Sequence, residues 1–471
     1  MRTLLLSLTA FTLTLFSCQP PTVKTGAPSF APTPLDQYVL EKDSLFQFEV
    51  MDTIPGEGHT TFVVRMVSGN WLSKAEVKNP EWWHWLTVVV PDSVQSETGF
   101  LFIGGGSRDR EQPSDANDLI TQTALLSHTI VADLHNVPNQ PVEFVGDTFG
   151  PRYEDELIAY GWRQFLEGGA KEEDARWLAR MPMTTAAVRA MDVMQALGER
   201  LEQTQGVENF VVAGGSKRGW TTWTTAAVDE RVVGIVPIVI DLLNVIPSFE
   251  HHWRVYGFWA PAVNDYVYEG VMDWQNTPEY QQLVDWTEPY SYRQRLTMPK
   301  LLINATGDQF FIPDSWRFYR DSLRGESHFR YVPNTDHSLR ESDAMQTLIA
   351  FHEMLVEEVA RPNYDWEVVD GKIQVQVQDQ TQIQSLKLWQ AHNPEKRDFR
   401  LETIGPAWTA EEITLNESGS YEVSIPEPDN GFSAFFVELT FAGASDLPLK
   451  LTTGVVVRPD VYPFEPYVSK K

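Results

Sequence analysis

The stretch that most constrains this chain is residues 209–219, NFVVAGGSKRG. It joins a compact apolar run to a segment of helical length and content, 217–228, through only Gly214, Gly215 and Ser216. A strand that becomes a helix over so few residues needs small neighbours, and it lifts the serine hydroxyl clear of the sheet. The flanking sequence continues the same alternation. Residues 61–67, 85–90, 99–103 and 129–135 read as strands, and 118–127 as a helix. Residues 183–205 read as a long helix, with Val188, Met191, Met194 and Leu197 near a spacing of 3.6. The run 232–240, VVGIVPIVI, suits a central strand covered on both faces, and its Pro237 marks a bulge or strand end. Strands at 300–305 and 329–332 and helices at 313–323 and 341–359 complete the series. Such alternation predicts a mostly parallel sheet with helices on both faces.

The ends differ from this middle. Residues 1–17 combine Arg2 with an apolar run that is too short to span a bilayer, which is the pattern of a signal peptide. The run stops at Cys18, the one cysteine of the chain. A cysteine in that place looks like the acylation site of a bacterial lipoprotein, which would tether the protein to the cell envelope without a spanning helix. Residues 18–36, rich in Pro and Thr, read as a tether. Residues 37–361 hold the alternating pattern, interrupted at 241–298 by an insertion rich in Trp and Tyr that is suited to walling a pocket. Residues 362–471 change character: strictly alternating GKIQVQV and further short strands read as an all-β, sandwich-like module. The formal net charge of −28 excludes nucleic acid as a partner and leaves the lipid anchor as the only expected link to a membrane.

Chemistry concentrates at four places. Ser216 follows the strand and lies two residues after Gly214, but Arg218 stands where a second glycine is usual, so the motif is G-x-S-x-x-G. Gly104-Gly105-Gly106 follows an earlier strand, as does a loop that supplies backbone N–H groups to an oxyanion. The expected donors are Lys217, Gly105 and Gly106. Asp308 follows the strand LLINATG and His337 follows the strand FRYV, so both fall at the carboxyl edge of the sheet. The order Ser216, Asp308, His337 is that of an α/β-hydrolase, with Asp241 as the alternative acid. Lys217 and Arg218 can attract a carboxylate-bearing substrate, or Arg218 can pair with an internal acid. Arg218, Trp220 and Trp259 are candidate substrate-binding residues. No HExxH or cysteine-based signature is present, so neither metal nor cofactor is expected.

Together GGSKRGWTTW, NATGDQFF, VPNTDHSL and the early PLDQYV resemble the PhoPQ-activated pathogenicity-related protein family. The resemblance runs over roughly residues 35–450. It implies the α/β-hydrolase fold, with Ser216, Asp308 and His337 as the triad, in a family that includes a secreted repressor of cell proliferation. The G-x-S-x-x-G offset is also similar to that of bacterial glucuronoyl and acetyl-xylan esterases, where the residue after the serine is basic. That second likeness is limited to the elbow and points to an acidic sugar ester.

Two functions are therefore expected to compete. One is a secreted serine hydrolase of the carboxylesterase type, acting on a small-molecule or glycan ester. The other is a non-catalytic or weakly catalytic binding or signalling protein on a hydrolase scaffold, with a protein partner. Trp389, Trp408 and Tyr421 of the C-terminal module would serve either a carbohydrate platform or the core.

Overall fold

The computed structural model describes residues 30–41, 44–201 and 206–471. The signal-like segment and Cys18 lie outside the described residues. Strands β1 (Gln47–Gly56), β2 (His59–Asn70) and β3 (Glu81–Pro91) form an antiparallel meander. They are followed by β4 (Thr98–Ile103), β5 (Val131–Leu134), β6 (Asn209–Gly215), β7 (Val232–Ile238), β8 (Lys300–Ala305) and β9 (Ser327–Val332). In space the order is β1-β2-β3-β5-β4-β6-β7-β8-β9. β3 lies antiparallel to β5, and every pair from β5 to β9 is parallel.

Parallel neighbours need crossovers, and helices supply them. Helices Asp118–Ser127 and Ala344–Val356 pack together, as do Arg180–Gly198 and Lys217–Val228. β8 is buried at every position and β6 at all but its ends, so both faces of the sheet are covered. This order and alternation are those of the α/β-hydrolase fold. Pro237 lies near the end of β7, which has no amide to donate there.

The C-terminal residues form an antiparallel region that continues the same sheet. It contains β10 (Tyr364–Val369), β11 (Lys372–Val377), β12 (Ile383–Asn393), β13 (Thr409–Glu412), β14 (Ser420–Val423), β15 (Phe432–Phe441), β16 (Leu449–Thr452) and β17 (Val456–Arg458). β16 meets β9 at Thr452 and Phe329, and the sheet runs on through β15, β12 and β13. β10, β11 and β14 form a separate three-stranded sheet. Thr33–Lys471 is one compact unit. Trp408 and Tyr421 are buried, and the Trp389 ring stacks on Phe436, so these aromatics serve the core.

Two local expectations change. The helix expected at 313–323 is instead two short 3-10 turns, Ser315–Phe318 and Arg320–Ser322. Tertiary bonds override the local preference: the Trp316 indole donates to the Val455 carbonyl, and Tyr319, at φ −142°, turns its hydroxyl onto Asp241. In the stretch read as tether, Thr33 caps a helix, Pro34–Leu40, that buries Leu35 and Val39 and pairs Asp36 with Arg295 at 2.7 Å.

Arg330 ties the two parts together. Its buried guanidinium, on β9, bridges Glu438 of β15 at 2.5 Å and Asp343 at 2.8 Å. Removing it strands the buried Glu438 charge. Arg330→Ala should therefore cost about 3–5 kcal/mol in urea unfolding. A change below about 1 kcal/mol would mean that the C-terminal strands dock without this contact.

Candidate active site

The elbow is built on two glycines that cannot be replaced. A Cβ on Gly214 would lie 2.8 Å from the Arg218 carbonyl oxygen, and one on Gly219 would lie 2.9 Å from the Gly214 oxygen and 3.0 Å from the Ile238 oxygen. The helix thus starts hard against the strand it leaves. This close approach accounts for the G-x-S-x-x-G spacing: the second glycine is needed at 219, where backbone meets backbone. Gly215, by contrast, has open space, with its nearest contact at 4.0 Å. Between them Ser216 takes φ 59°, ψ −124°, an unfavourable conformation for a side chain that costs of order 1–3 kcal/mol.

Ser216 opens into a small cleft. Lys217, Trp220, Arg180, Trp162 and Asp155 line it from three helices, and Phe310 and Phe311 from the loop after β8. Leu242, Phe249, Val263 and Tyr266 of the aromatic insertion close it. Trp259 is not part of this wall. It packs behind Phe249, with ring centroids 5.9 Å apart. Trp220 is buried, with its indole donating to the Thr287 carbonyl at 2.6 Å.

Asp308 and His337 come together. His337 Nδ1 lies 2.8 Å from Asp308 Oδ2, while Asp308 Oδ1 accepts the Phe310 amide at 2.8 Å. The Phe310 ring packs on the imidazole at 4.4 Å. Gln309 accepts the His337 amide, which fixes the loop. The Ser216 hydroxyl makes no hydrogen bond to His337 in this structure; such contacts are often loose before substrate arrives. Asp241 is elsewhere occupied. It accepts the hydroxyls of Tyr319 at 2.5 Å and Tyr331 at 2.6 Å, and burial raises its carboxyl to about 7 against their pull.

The Gly104–Gly106 loop is pinned by its carbonyls. Gly105 O accepts the Asn136 amide at 3.0 Å, and Gly106 O accepts the Gln140 side chain at 2.7 Å. Among the described residues the amides of Gly105 and Gly106 have no acceptor, whereas that of Gly104 donates to Leu134. Lys217, as first residue of its helix, has no intrahelical acceptor for its N–H. Gly105 also abuts Arg218, whose Nη2 would sit 2.6 Å from a Cβ there.

The side chains of Lys217 and Arg218 are already paired. Lys217 Nζ contacts Glu154 at 2.8 Å and Asp155 at 2.9 Å, and Arg218 Nη2 contacts Glu154 at 2.6 Å. The internal-acid reading of Arg218 is the one found. Glu154, Asp155, Arg180 and Tyr266 escaped the sequence reading, because no local pattern links them to the elbow. Among the described residues no group of three His, Cys, Asp or Glu is placed to hold a metal.

Burial raises the Glu154 carboxyl, but Arg218 and Lys217 outweigh it and hold it down at about 2. A depressed carboxyl contributes stability above its unfolded value of 4.5, and that stability is lost as pH falls towards about 2. Acid unfolding followed by circular dichroism should be shallower in this window for Glu154→Gln than for wild type. Equal slopes would place the cluster's charge elsewhere.

Autocrine proliferation repressor protein A of Dictyostelium discoideum is 36% identical over 459 residues, which is 92% of each chain. Among solved structures, acetyl xylan esterase 1 from Thermoanaerobacterium covers 69% of this chain and 93% of its own, at 13% identity and a TM-score of 0.47. A glucuronoyl esterase from Solibacter usitatus covers 67% and 89%, at 16% identity and 0.37. Residues 35–400 match the pattern of one family throughout, and the chain belongs to the PhoPQ-activated pathogenicity-related proteins.

Proposed function

We propose that this protein is an exported serine hydrolase of the carboxylesterase type, anchored to the cell envelope through an acylated Cys18. Ser216 Oγ attacks an ester carbonyl carbon, and His337 Nε2 takes the hydroxyl proton while Nδ1–H stays on Asp308. The carbonyl oxygen gains negative charge facing the N–H of Lys217 and of the Gly105–Gly106 loop. Collapse breaks the ester C–O bond, and the alcohol leaves with the proton from His337. Water then repeats the sequence on the acyl-serine and frees the acid. The single observation that carries this reading is the combination at one sheet edge: Ser216 held at φ 59° after β6, with the His337–Asp308 pair after β9 and β8.

A second reading, a signalling protein on a hydrolase scaffold, draws on one specific observation: the 36% identical relative carries the name of a proliferation repressor. Hydrolysis of 4-nitrophenyl acetate separates the two. Ser216→Ala should abolish turnover, and Asp308→Asn should lower kcat by about 10²–10⁴-fold by leaving the imidazole in the wrong tautomer. Asp241→Asn, which does not touch the imidazole, should stay within about 10-fold of wild type. A folded wild type that turns over no short ester, neutral or carboxylate-bearing, would favour the signalling reading.

A further inference from the structure

Three basic side chains surround the elbow, but only two of them are in salt-bridge contact with acids. Lys217 and Arg218 share Glu154 and Asp155. Arg180 is 3% exposed and lines the same cleft as Ser216, yet among the described residues no carboxylate lies within salt-bridge reach of it. Its Nη1 donates to the Lys217 carbonyl at 2.9 Å and its guanidinium lies 4.5 Å over the Trp220 ring, while the Tyr266 hydroxyl is committed to Asp155 at 2.9 Å. Among the described residues its Nε has no acceptor.

The surroundings make this arrangement costly for a structural cation. Arg180 begins the helix Arg180–Gly198, and Lys217 begins the helix Lys217–Val228, so it stands at the positive end of one helix and against the start of another. Asp155 attracts it from beyond salt-bridge distance and Arg218 repels it, and Asp155 is already paired with Lys217. The opposite walls, Ile240, Leu242, Phe249 and Val263, are apolar and supply no counter-charge. A buried guanidinium in a low-dielectric cleft attracts an anion strongly and selects its planar, forked form.

We infer that the substrate carries a free carboxylate, which seats on Arg180 inside the cleft while its ester carbonyl lies at Ser216. This rests on the hydrolase reading above and adds the substrate class: a compact half-ester of a dicarboxylic acid rather than a neutral ester. The carboxylate replaces the acid that Arg180 lacks, and the aromatic walls exclude water from the pair.

The test uses the purified protein and a fluorophosphonate probe of the Ser216 nucleophile. Monomethyl glutarate and dimethyl glutarate, matched in shape and different in charge, compete for the cleft. The half-ester should protect wild type from labelling about 10- to 100-fold more effectively than the diester, the range expected for a charge-assisted hydrogen-bonded contact. In Arg180→Gln that preference should fall to near unity, and Arg180→Lys should restore part of it. Equal protection by the two esters in wild type would overturn the inference while labelling itself still supports the hydrolase. Wild type that takes up no label would overturn the hydrolase reading, and this inference with it. The wild-type comparison decides the matter even where Arg180→Gln fails to fold.

Discussion

Everything at this site depends on how closely a strand and a helix can approach. Gly214 and Gly219 face each other across the turn with less than a side chain's width between the Gly214 oxygen and the Gly219 α-carbon's missing substituent. That contact sets the helix directly on the end of β6, leaves Ser216 no relaxed conformation, and aligns the first helix amides beside it. The amide of Ser216 itself donates to Ile238 of the next strand at 2.8 Å, so the sheet holds the turn in place. Strain of this kind persists only where the surroundings over-determine it. Here the surroundings are a strand buried at all but its ends and a helix whose residues from Gly219 to Ala227 are all buried.

A second layer is electrostatic. Glu154 and Asp155 come from the start of one helix, and Lys217 and Arg218 from the start of another. Their pairing fixes the rim of the cleft and consumes the charges that a reading of the elbow alone assigns to substrate. Arg180 remains over the Trp220 face. The aromatic insertion packs Phe249, Val263 and Tyr266 over the same space, so the cleft is shaped by segments far apart in sequence. The C-terminal strands extend the central sheet from β9, and the buried Arg330 bridge couples them to the edge that also carries His337.

Much of this architecture is legible in the sequence, and the reasons are physical. Lys217–Val228, Asp118–Ser127 and β8 (Lys300–Ala305) fall where composition and turn residues place them, because each is sharply bounded. The α/β-hydrolase fold follows from alternation, which local pattern records well. The 313–323 segment is misread because its tertiary hydrogen bonds outweigh helix propensity, and those bonds involve Asp241 and Val455, far away in the chain. Local sequence does not separate Asp308 from Asp241, for the same reason. Two acids end two neighbouring strands, and only the tyrosines of β9 and of the loop before it reveal that Asp241 is engaged. Arg180 carried no signal, since a lone arginine at a helix start is ordinary until its missing partner is seen.

The central claim is that Ser216 is a working nucleophile. Treating the folded protein with diisopropyl fluorophosphate and mapping the adduct by peptide mass spectrometry tests it most directly. One adduct per chain is expected, on the peptide that contains Ser216. No adduct on a protein whose circular dichroism is native, or an adduct on a different residue, would contradict it.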